Sequence, residues 1–224
     1  MKNNILKFNE ENLGNKWDYE NGFYLTSDTC RIGKQIAHYE LYKKIINIPG
    51  EVLEFGVYKG TSIIRFATYR DLLENTYSRK IVGFDIFGKF PKTDNADDDD
   101  FITKFENQGG DGIKKVDLEQ FLKNKGLNNV ELIEGDILKT LDEYLDKNKH
   151  LKIALLHVDV DVYKPTKFVL EKLYDRVVPG GLIVLDDYAR VKGATDAIDE
   201  FLYDKKELIE KLPFSYIPCH IIKK

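Results

Sequence analysis

Apolar residues along the chain fall into short continuous runs and into longer stretches with helical spacing. The short runs predict strands, at residues 51–55, 81–87, 130–133, 153–159, 182–185 and 216–222. The longer stretches predict helices, at residues 32–46, 61–73, 116–125, 137–148, 166–177 and 196–202. Because strands and helices alternate, the pattern predicts an α/β fold, with a parallel sheet covered by helices on both faces.

Two segments lack this pattern. Residues 1–30 begin with a polar stretch and contain Trp17, and we expect them to form an N-terminal arm that packs on the core or on a partner subunit. Residues 91–115 are rich in Asp and Gly, and a structureless loop of that length is uncommon. We expect this segment to be a functional lid or to be partly helical, with the acidic residues 97–100 in solvent. The rest of the pattern fits a single domain that spans residues 1–224.

Composition narrows the class of protein. The chain has 224 residues, of which 42% are apolar and 32% are charged, enough apolar residues for one sizeable core. The net charge of −4 disfavours nucleic acid as the main partner, because phosphate binding needs a basic surface. Cys30 and Cys219 lie far apart, which predicts free thiols. Since no apolar run approaches about 18 residues, we expect a cytoplasmic protein without a membrane segment.

The residues that follow each strand are the first candidates for a site, because ligands of such sheets bind beyond the carboxyl ends of the strands. The first strand leads into Gly56 and Gly60, which bracket a tight turn before a helix. The spacing is not GxGxxG, and Glu54 would repel a pyrophosphate but suits the cationic methionine end of S-adenosylmethionine. Asp85 and Asp136 follow the next two strands and could accept hydrogen bonds from ribose and adenine. Each is an ordinary turn or capping residue on its own, but together they predict an adenosine site.

Carboxylates also follow the fourth and fifth strands, at Asp159, Asp161, Asp186 and Asp187. A right-handed crossover makes these strand ends neighbours. Since clustered like charges repel unless a cation neutralises them, the pattern predicts a site for Mg²⁺ or another hard divalent cation. The alternative is that Asp186 or Asp187 caps the next helix while the others face water. His157 is a candidate base or substrate contact, or else a buried structural histidine.

Several segments resemble a known family in combination. They are YLTSDTCRIG, EVLEFGVYKGTS, GFDIFGKFP, LLHVDVDVYKPT and PGGLIVLDDYARVKGATDAIDEFL. They are similar to the TylF/MycF family of macrocin-type sugar O-methyltransferases, over about residues 24–202. The resemblance implies a Rossmann-like class I methyltransferase fold with a seven-stranded, mostly parallel sheet. It also implies S-adenosylmethionine as cofactor, Mg²⁺ dependence and methylation of a sugar hydroxyl.

The same resemblance implies roles for individual residues. Asp159, Asp186 and Asp187 match metal ligands, and Asp161 matches a general base. The implied cofactor contacts are Glu54, Gly56, Tyr58, Gly60, Ser62, Asp85 and Asp136. Residues 92–112 do not match the family's lid, so the acceptor stays open. We expect a hydroxylated small molecule, such as a sugar, a sugar-containing natural product or a surface glycan precursor, with a catechol-like acceptor as the alternative. The resemblance also favours a homo-oligomer.

Three other functions compete with methyl transfer. The segment HVDVD resembles the DxD element of haloacid-dehalogenase-type phosphatases, but that element lies on the first strand of their fold and here on the fourth. A nicotinamide-dependent oxidoreductase is disfavoured by the glycine spacing. A binding module without catalysis gives no reason for four carboxylates at adjoining strand ends.

The other histidines, His38, His150 and His220, are expected to be peripheral.

Overall fold

A seven-stranded sheet forms the centre of the computed structural model, which describes residues 16–91, 93 and 96–224, with the backbone alone at 96 and 97. The strands of this described part are β1 (Glu51–Phe55), β2 (Ile81–Asp85), β3 (Val130–Glu134), β4 (Ile153–Val158), β5 (Val177–Leu185), β6 (Glu210–Lys211) and β7 (Cys219–Ile222). Its helices are α1 (Lys16–Thr26), α2 (Thr29–Lys43), α3 (Thr61–Leu73), α4 (Ala96–Gly109), α5 (Lys115–Asn124), α6 (Ile137–Lys147), α7 (Tyr163–Leu173) and α8 (Lys192–Leu202). The predicted α/β class and the seven-stranded sheet are confirmed.

The order of the strands is β3-β2-β1-β4-β5-β7-β6. The first five of these pair in parallel, whereas β7 runs antiparallel between β5 and the short edge strand β6. The chain starts at the centre with β1, moves outward to β3, and then returns to add β4 on the other side. The connections that follow β1 and β4 therefore lead away in opposite directions along the sheet. Ligands of such sheets bind at this reversal of strand order, beyond the carboxyl ends of the two strands.

Helices cover both faces of the sheet. Alternate residues of each inner strand face opposite layers: Phe55 and Phe84 stack at 4.5 Å on the face that packs against α6, α7 and α8. Val52 and Ile81 point to the other face, which packs against α2, α3 and α5. Because these strands are buried on both faces, their sequences are apolar at nearly every position rather than at every second one.

Most differences from the predicted elements have a local cause. Strand β5 begins at Val177, because the predicted Pro-Gly-Gly turn is extended and Gly180 N donates to Lys223 O at 2.8 Å. Helix α7 begins at Tyr163, with Pro165 in its first turn, where a missing N–H is tolerated. Helix α8 likewise begins four residues earlier than predicted, at Lys192.

The two segments without periodicity also contain helices. The polar first part of the expected arm includes α1, which buries none of its side chains in this chain, while residues 1–15 of the arm lie outside the described part. Helix α4 occupies the middle of the expected lid. Every helix in the described part is too short or too polar to cross a bilayer. Cys30 and Cys219 are free thiols, as predicted.

Candidate active site

The carboxyl ends of β1 and β4 open into a cavity of about 600 Å³. This volume lies within the range of small-molecule sites. The turn after β1 and the carboxylates after β4 and β5 both line the cavity. Helix α4 contributes Ile102 and Phe105 to the wall, and the Phe105 ring lies 5.1 Å from the ring of Tyr58. The structure thus brings most of the residues singled out from the sequence around one space.

Gly56 places the turn after β1 directly against the end of β4. Its φ of +89° lies in the region that favours glycine. A methyl group at this position would overlap the backbone carbonyl of Asp159. The two backbones are also tied to the sheet here, since Gly56 N donates to Phe84 O and Asp159 N donates to Phe55 O, both at 2.9 Å. Glycine is needed at this position because two main chains meet there.

Asp85 organises the same turn from the end of β2. One carboxylate oxygen accepts hydrogen bonds from Val57 N at 2.7 Å and Tyr58 N at 2.9 Å, and the other accepts from Phe87 N at 2.6 Å. A carboxylate offers about four lone-pair positions. The side chain also lines the cavity, so about one acceptor position is left for a ligand hydroxyl.

The remaining predicted cofactor residues divide into two groups. Gly60, at the start of α3, and Asp136, which caps α6 by accepting from Leu138 N at 3.0 Å, are at helix N-termini. Ser62 donates to the carboxylate of Glu54. Glu54 is fully buried and does not line the cavity, and its Oε2 atom has no hydrogen-bond partner in the described part.

Three of the predicted carboxylates converge on one part of the cavity lining, the carboxylate wall. Asp159, Asp161 and Asp187 each have a carboxylate oxygen within 4.8 Å of the others. Asp161 adopts a φ of +61°, and its backbone N donates to Asp187 Oδ2 at 2.9 Å. Burial, followed by repulsion from neighbouring carboxylates, raises the pKa of Asp159 to about 8 and of Asp161 to about 6, and it also raises the pKa of Asp187. In these three groups, burial and mutual repulsion therefore outweigh the nearby positive charge.

Asp186 points towards a different set of partners. Lys34 Nζ lies 2.5 Å from Asp186 Oδ2, and His157 Nε2 lies 3.4 Å from Asp186 Oδ1. Burial opposes ionisation of Asp186, but the Lys34 ammonium and the histidine contacts hold its pKa well below the usual range. The sequence grouped Asp186 with Asp159 and Asp187. The structure places Asp161 in that group and Asp186 beside a lysine, while the ligand assignment itself stays a prediction.

His157 lies between Glu54 and Asp186, behind the cavity lining. Its Nδ1 atom lies 3.4 Å from Glu54 Oε1, and its Nε2 atom faces Asp186. Burial lowers the pKa of His157, but the contacts with Asp186 and Glu54 outweigh it and raise the pKa to about 10. The ring is fully buried and does not line the cavity. This placement favours the structural interpretation of His157 over direct contact with an acceptor.

Lys34 and His38 were missed by the sequence analysis. Both are on α2, and His38 is fully buried beside Asp186, so the expectation that it is peripheral was wrong; His220 is buried as well. The spacing 34-38-41 places the two polar residues on the same helix face as Leu41, which is fully buried. A lysine and a histidine in such a stripe are the signal that could have identified them.

Asp98 was also misjudged. Residues 97–100 were expected to face solvent, and Asp99 and Asp100 do. Asp98 is only 3% exposed, and its Oδ2 atom accepts from Tyr163 N at 3.2 Å. That N–H belongs to the first turn of α7, where the helix dipole favours a negative charge. Asp98 thus attaches α4 to the end of another helix.

Comparison with known proteins places the chain in a family context. The family profile described as macrocin O-methyltransferase (TylF) matches residues 35–213. A tetracenomycin enzyme from Streptomyces olivaceus, 8-demethyl-8-(2,3-dimethoxy-alpha-L-rhamnosyl)-tetracenomycin-C 4'-O-methyltransferase, is 29% identical over 69% of this chain and 58% of its own length. Mycinamicin III 3''-O-methyltransferase from Micromonospora griseorubida is 29% identical over 69% of this chain and 61% of its own. The chain thus spans about three-fifths of the length of these relatives.

Solved structures show the same architecture. The calicheamicin methyltransferase CalS11 superposes with a TM-score of 0.79 at 26% identity, over 93% of this chain and 85% of its own. An apo structure of CalS11, described as a TDP-rhamnose 3'-O-methyltransferase, gives a TM-score of 0.69 at 25% identity, over 93% of this chain and 86% of its own. The class I methyltransferase fold implied by the sequence is confirmed.

Proposed function

The chain belongs to the macrocin O-methyltransferase (TylF) family, and on that premise we propose that it transfers the methyl group of S-adenosylmethionine to a hydroxyl of a sugar-containing acceptor. The observation that carries the proposal is the cavity at the reversal of strand order, where an ordered turn faces a set of carboxylates. The relatives named for a rhamnosyl-tetracenomycin and for TDP-rhamnose support a sugar as the acceptor.

The cofactor would lie along the β1 side of the cavity. Asp85 and Asp136 line that side and offer carboxylate oxygens to the ribose and adenine groups. The turn at Gly56 exposes backbone close to the ligand, and the N-terminus of α3 follows it. Ser62 lines the same cavity and donates to the buried Glu54 carboxylate, whose negative charge lies behind this wall and would favour the cationic methionine end of the cofactor.

The carboxylate wall fits a hard divalent cation such as Mg²⁺. Its donors are oxygens, and a bound cation would relieve the repulsion that contributes to the raised pKa values of Asp159 and Asp161. We propose that Asp159, Asp186 and Asp187 hold the cation, as the sequence predicts, with Asp161 beside them. A bound divalent cation would lower the pKa of the acceptor hydroxyl.

Asp161 is the group that we propose as the general base. Its side chain lines the cavity, and with a pKa of about 6 it is mostly ionised at neutral pH. It takes the proton of the acceptor hydroxyl as the oxygen forms a bond to the methyl carbon. The methyl carbon–sulfur bond breaks, its electrons stay on sulfur, and S-adenosylhomocysteine is the product. Helix α4 limits the access of water to this step.

Binding and transfer assays test the proposal. Calorimetry should show binding of S-adenosylhomocysteine, and labelled S-adenosylmethionine should transfer methyl to members of a panel of nucleotide sugars and glycosides. Transfer should fall when EDTA replaces Mg²⁺. Transfer to catechols alone would refute the sugar assignment, equal rates in EDTA would refute the cation, and absence of cofactor binding would refute the whole proposal.

Asp161→Asn tests the base directly. Asparagine keeps the shape of the side chain and tolerates the left-handed backbone at this position. The rate of transfer should fall by about 10²- to 10⁴-fold, the usual contribution of a general base, with binding of S-adenosylhomocysteine intact. The control is Asp196→Asn, which alters an exposed carboxylate paired with Lys192 on α8 and should leave the rate unchanged. Full activity in Asp161→Asn would refute the assignment.

A further inference from the structure

Lys34 already provides a cation to the carboxylate wall. It lies on α2, and its side chain is only 16% exposed. The ammonium lies 2.5 Å from Asp186 Oδ2 and 3.9 Å from Asp159 Oδ2, so it contacts two of the three predicted metal ligands. The next positive candidate on the same helix face, His38, is held neutral by burial, which lowers its pKa to about 3.

The ammonium and a divalent cation would require the same oxygens. A carboxylate that is in contact with Lys34 has lost part of its capacity to bind a second cation, and two cations at this separation repel each other strongly because both are sheltered from water. The contact also explains the grouping of side chains, because Asp186 faces Lys34 while Asp159, Asp161 and Asp187 converge on one another.

From this arrangement we propose that Lys34 is a built-in competitor of the divalent cation. Together with His157 it neutralises Asp186 when no metal is bound, and it weakens metal binding, because Asp186 must release the ammonium to become a ligand. The inference rests on the cation site of the proposed function. It identifies Lys34 as a positioning residue that regulates that site rather than as a group that reacts with the acceptor.

Binding of Mn²⁺ measures the competition without any acceptor or turnover. Free Mn²⁺ is followed by electron paramagnetic resonance in the full chain, with Lys34→Met as the test variant. Methionine retains the length and apolar stem of lysine and removes the charge. The matched control is Lys43→Met, which removes a lysine from the last turn of the same helix, where its ammonium contacts Glu40 and the ring of Tyr39.

Lys34→Met should bind Mn²⁺ at least tenfold more tightly than the unchanged protein, whereas Lys43→Met should bind it equally well. In EDTA, Lys34→Met should melt at a lower temperature than the unchanged protein, and Mn²⁺ should restore it. An affinity of Lys34→Met equal to or weaker than that of the unchanged protein would overturn the proposal.

Lys34→Arg covers the case in which the methionine variant does not fold. A guanidinium binds a carboxylate through two hydrogen bonds. This variant should therefore bind Mn²⁺ no more tightly than the unchanged protein does, and tighter binding would overturn the proposal. If neither the unchanged protein nor a folded Lys34 variant binds Mn²⁺, both the competition and the cation site are wrong. Calorimetry with S-adenosylhomocysteine separates that outcome from failure of the methyltransferase assignment, since cofactor binding would persist.

Discussion

Replacement of Gly56 by alanine tests whether the close approach of β1 and β4 forms the cofactor side of the cavity. The new methyl group would overlap the backbone carbonyl of Asp159, which cannot rotate away as a side chain could. The left-handed conformation costs about 1–2 kcal/mol for a residue with a Cβ, and forced overlap in a packed region costs about 1–3 kcal/mol more. The expected loss of stability is therefore about 2–5 kcal/mol.

A control separates backbone strain from overlap. Gly126 has a φ of +70°, but a methyl group there would meet nothing within 4 Å, so Gly126→Ala carries the conformational cost alone. Denaturation with urea should show a loss of about 1–2 kcal/mol for this variant, with unchanged binding of S-adenosylhomocysteine. Gly56→Ala should lose more stability and bind the ligand at least tenfold more weakly. Equal losses of stability, with ligand binding intact in both variants, would refute the reasoning.

Three further predictions concern charge. In EDTA, the protonated side chains of Asp159 (pKa about 8) and Asp161 (pKa about 6) stabilise the fold, fully below about pH 4 and progressively less as the pH rises to 8. The melting temperature should therefore fall over this range, and Mn²⁺ should reverse the fall; a rise with pH in EDTA would contradict this. Asp98→Asn weakens the charge-assisted contact with Tyr163 N, and amide exchange in α4 should rise about tenfold; unchanged protection would count against the contact. Arg79→Met removes the guanidinium from a nearly buried carboxylate and from several backbone carbonyls and should cost about 3–5 kcal/mol in urea denaturation, without loss of cofactor affinity; a cost under about 1 kcal/mol would show that water replaces the guanidinium.

The sequence predicted the sheet well because burial on two faces leaves a local signal. Strand β4 is apolar at every position except His157, and the turn at Gly56 follows from its place between a strand and a helix. The carboxylates at the ends of β4 and β5 could be placed together because the crossover rule fixes which strands are neighbours. Those features require only the order of elements, and this information is present in the chain itself.

The contacts that the sequence did not reveal depend on angles between elements. Lys34 and Asp186 are 152 residues apart, and they meet only because α2 crosses the sheet with its Lys34 face towards the ends of β4 and β5. Asp98 is in an acidic run whose composition suggests solvent exposure, yet one member reaches the first turn of α7. Neither the crossing angle nor the choice of one aspartate among four is encoded in hydrophobic periodicity.

The turn after β1 and helix α4 both line the cavity, but they are held in different ways. The Asp85 carboxylate fixes the β1 turn through two of its backbone amides, those of Val57 and Tyr58. Helix α4 is attached by side chains, chiefly Asp98 and the ring of Phe105 against Tyr58. A cofactor side that backbone hydrogen bonds complete before any ligand arrives implies an order of events in steady-state kinetics. For the proposed reaction, S-adenosylmethionine should dock first on that side and the acceptor should enter second, past α4. S-adenosylhomocysteine should then compete with the cofactor but not with the acceptor.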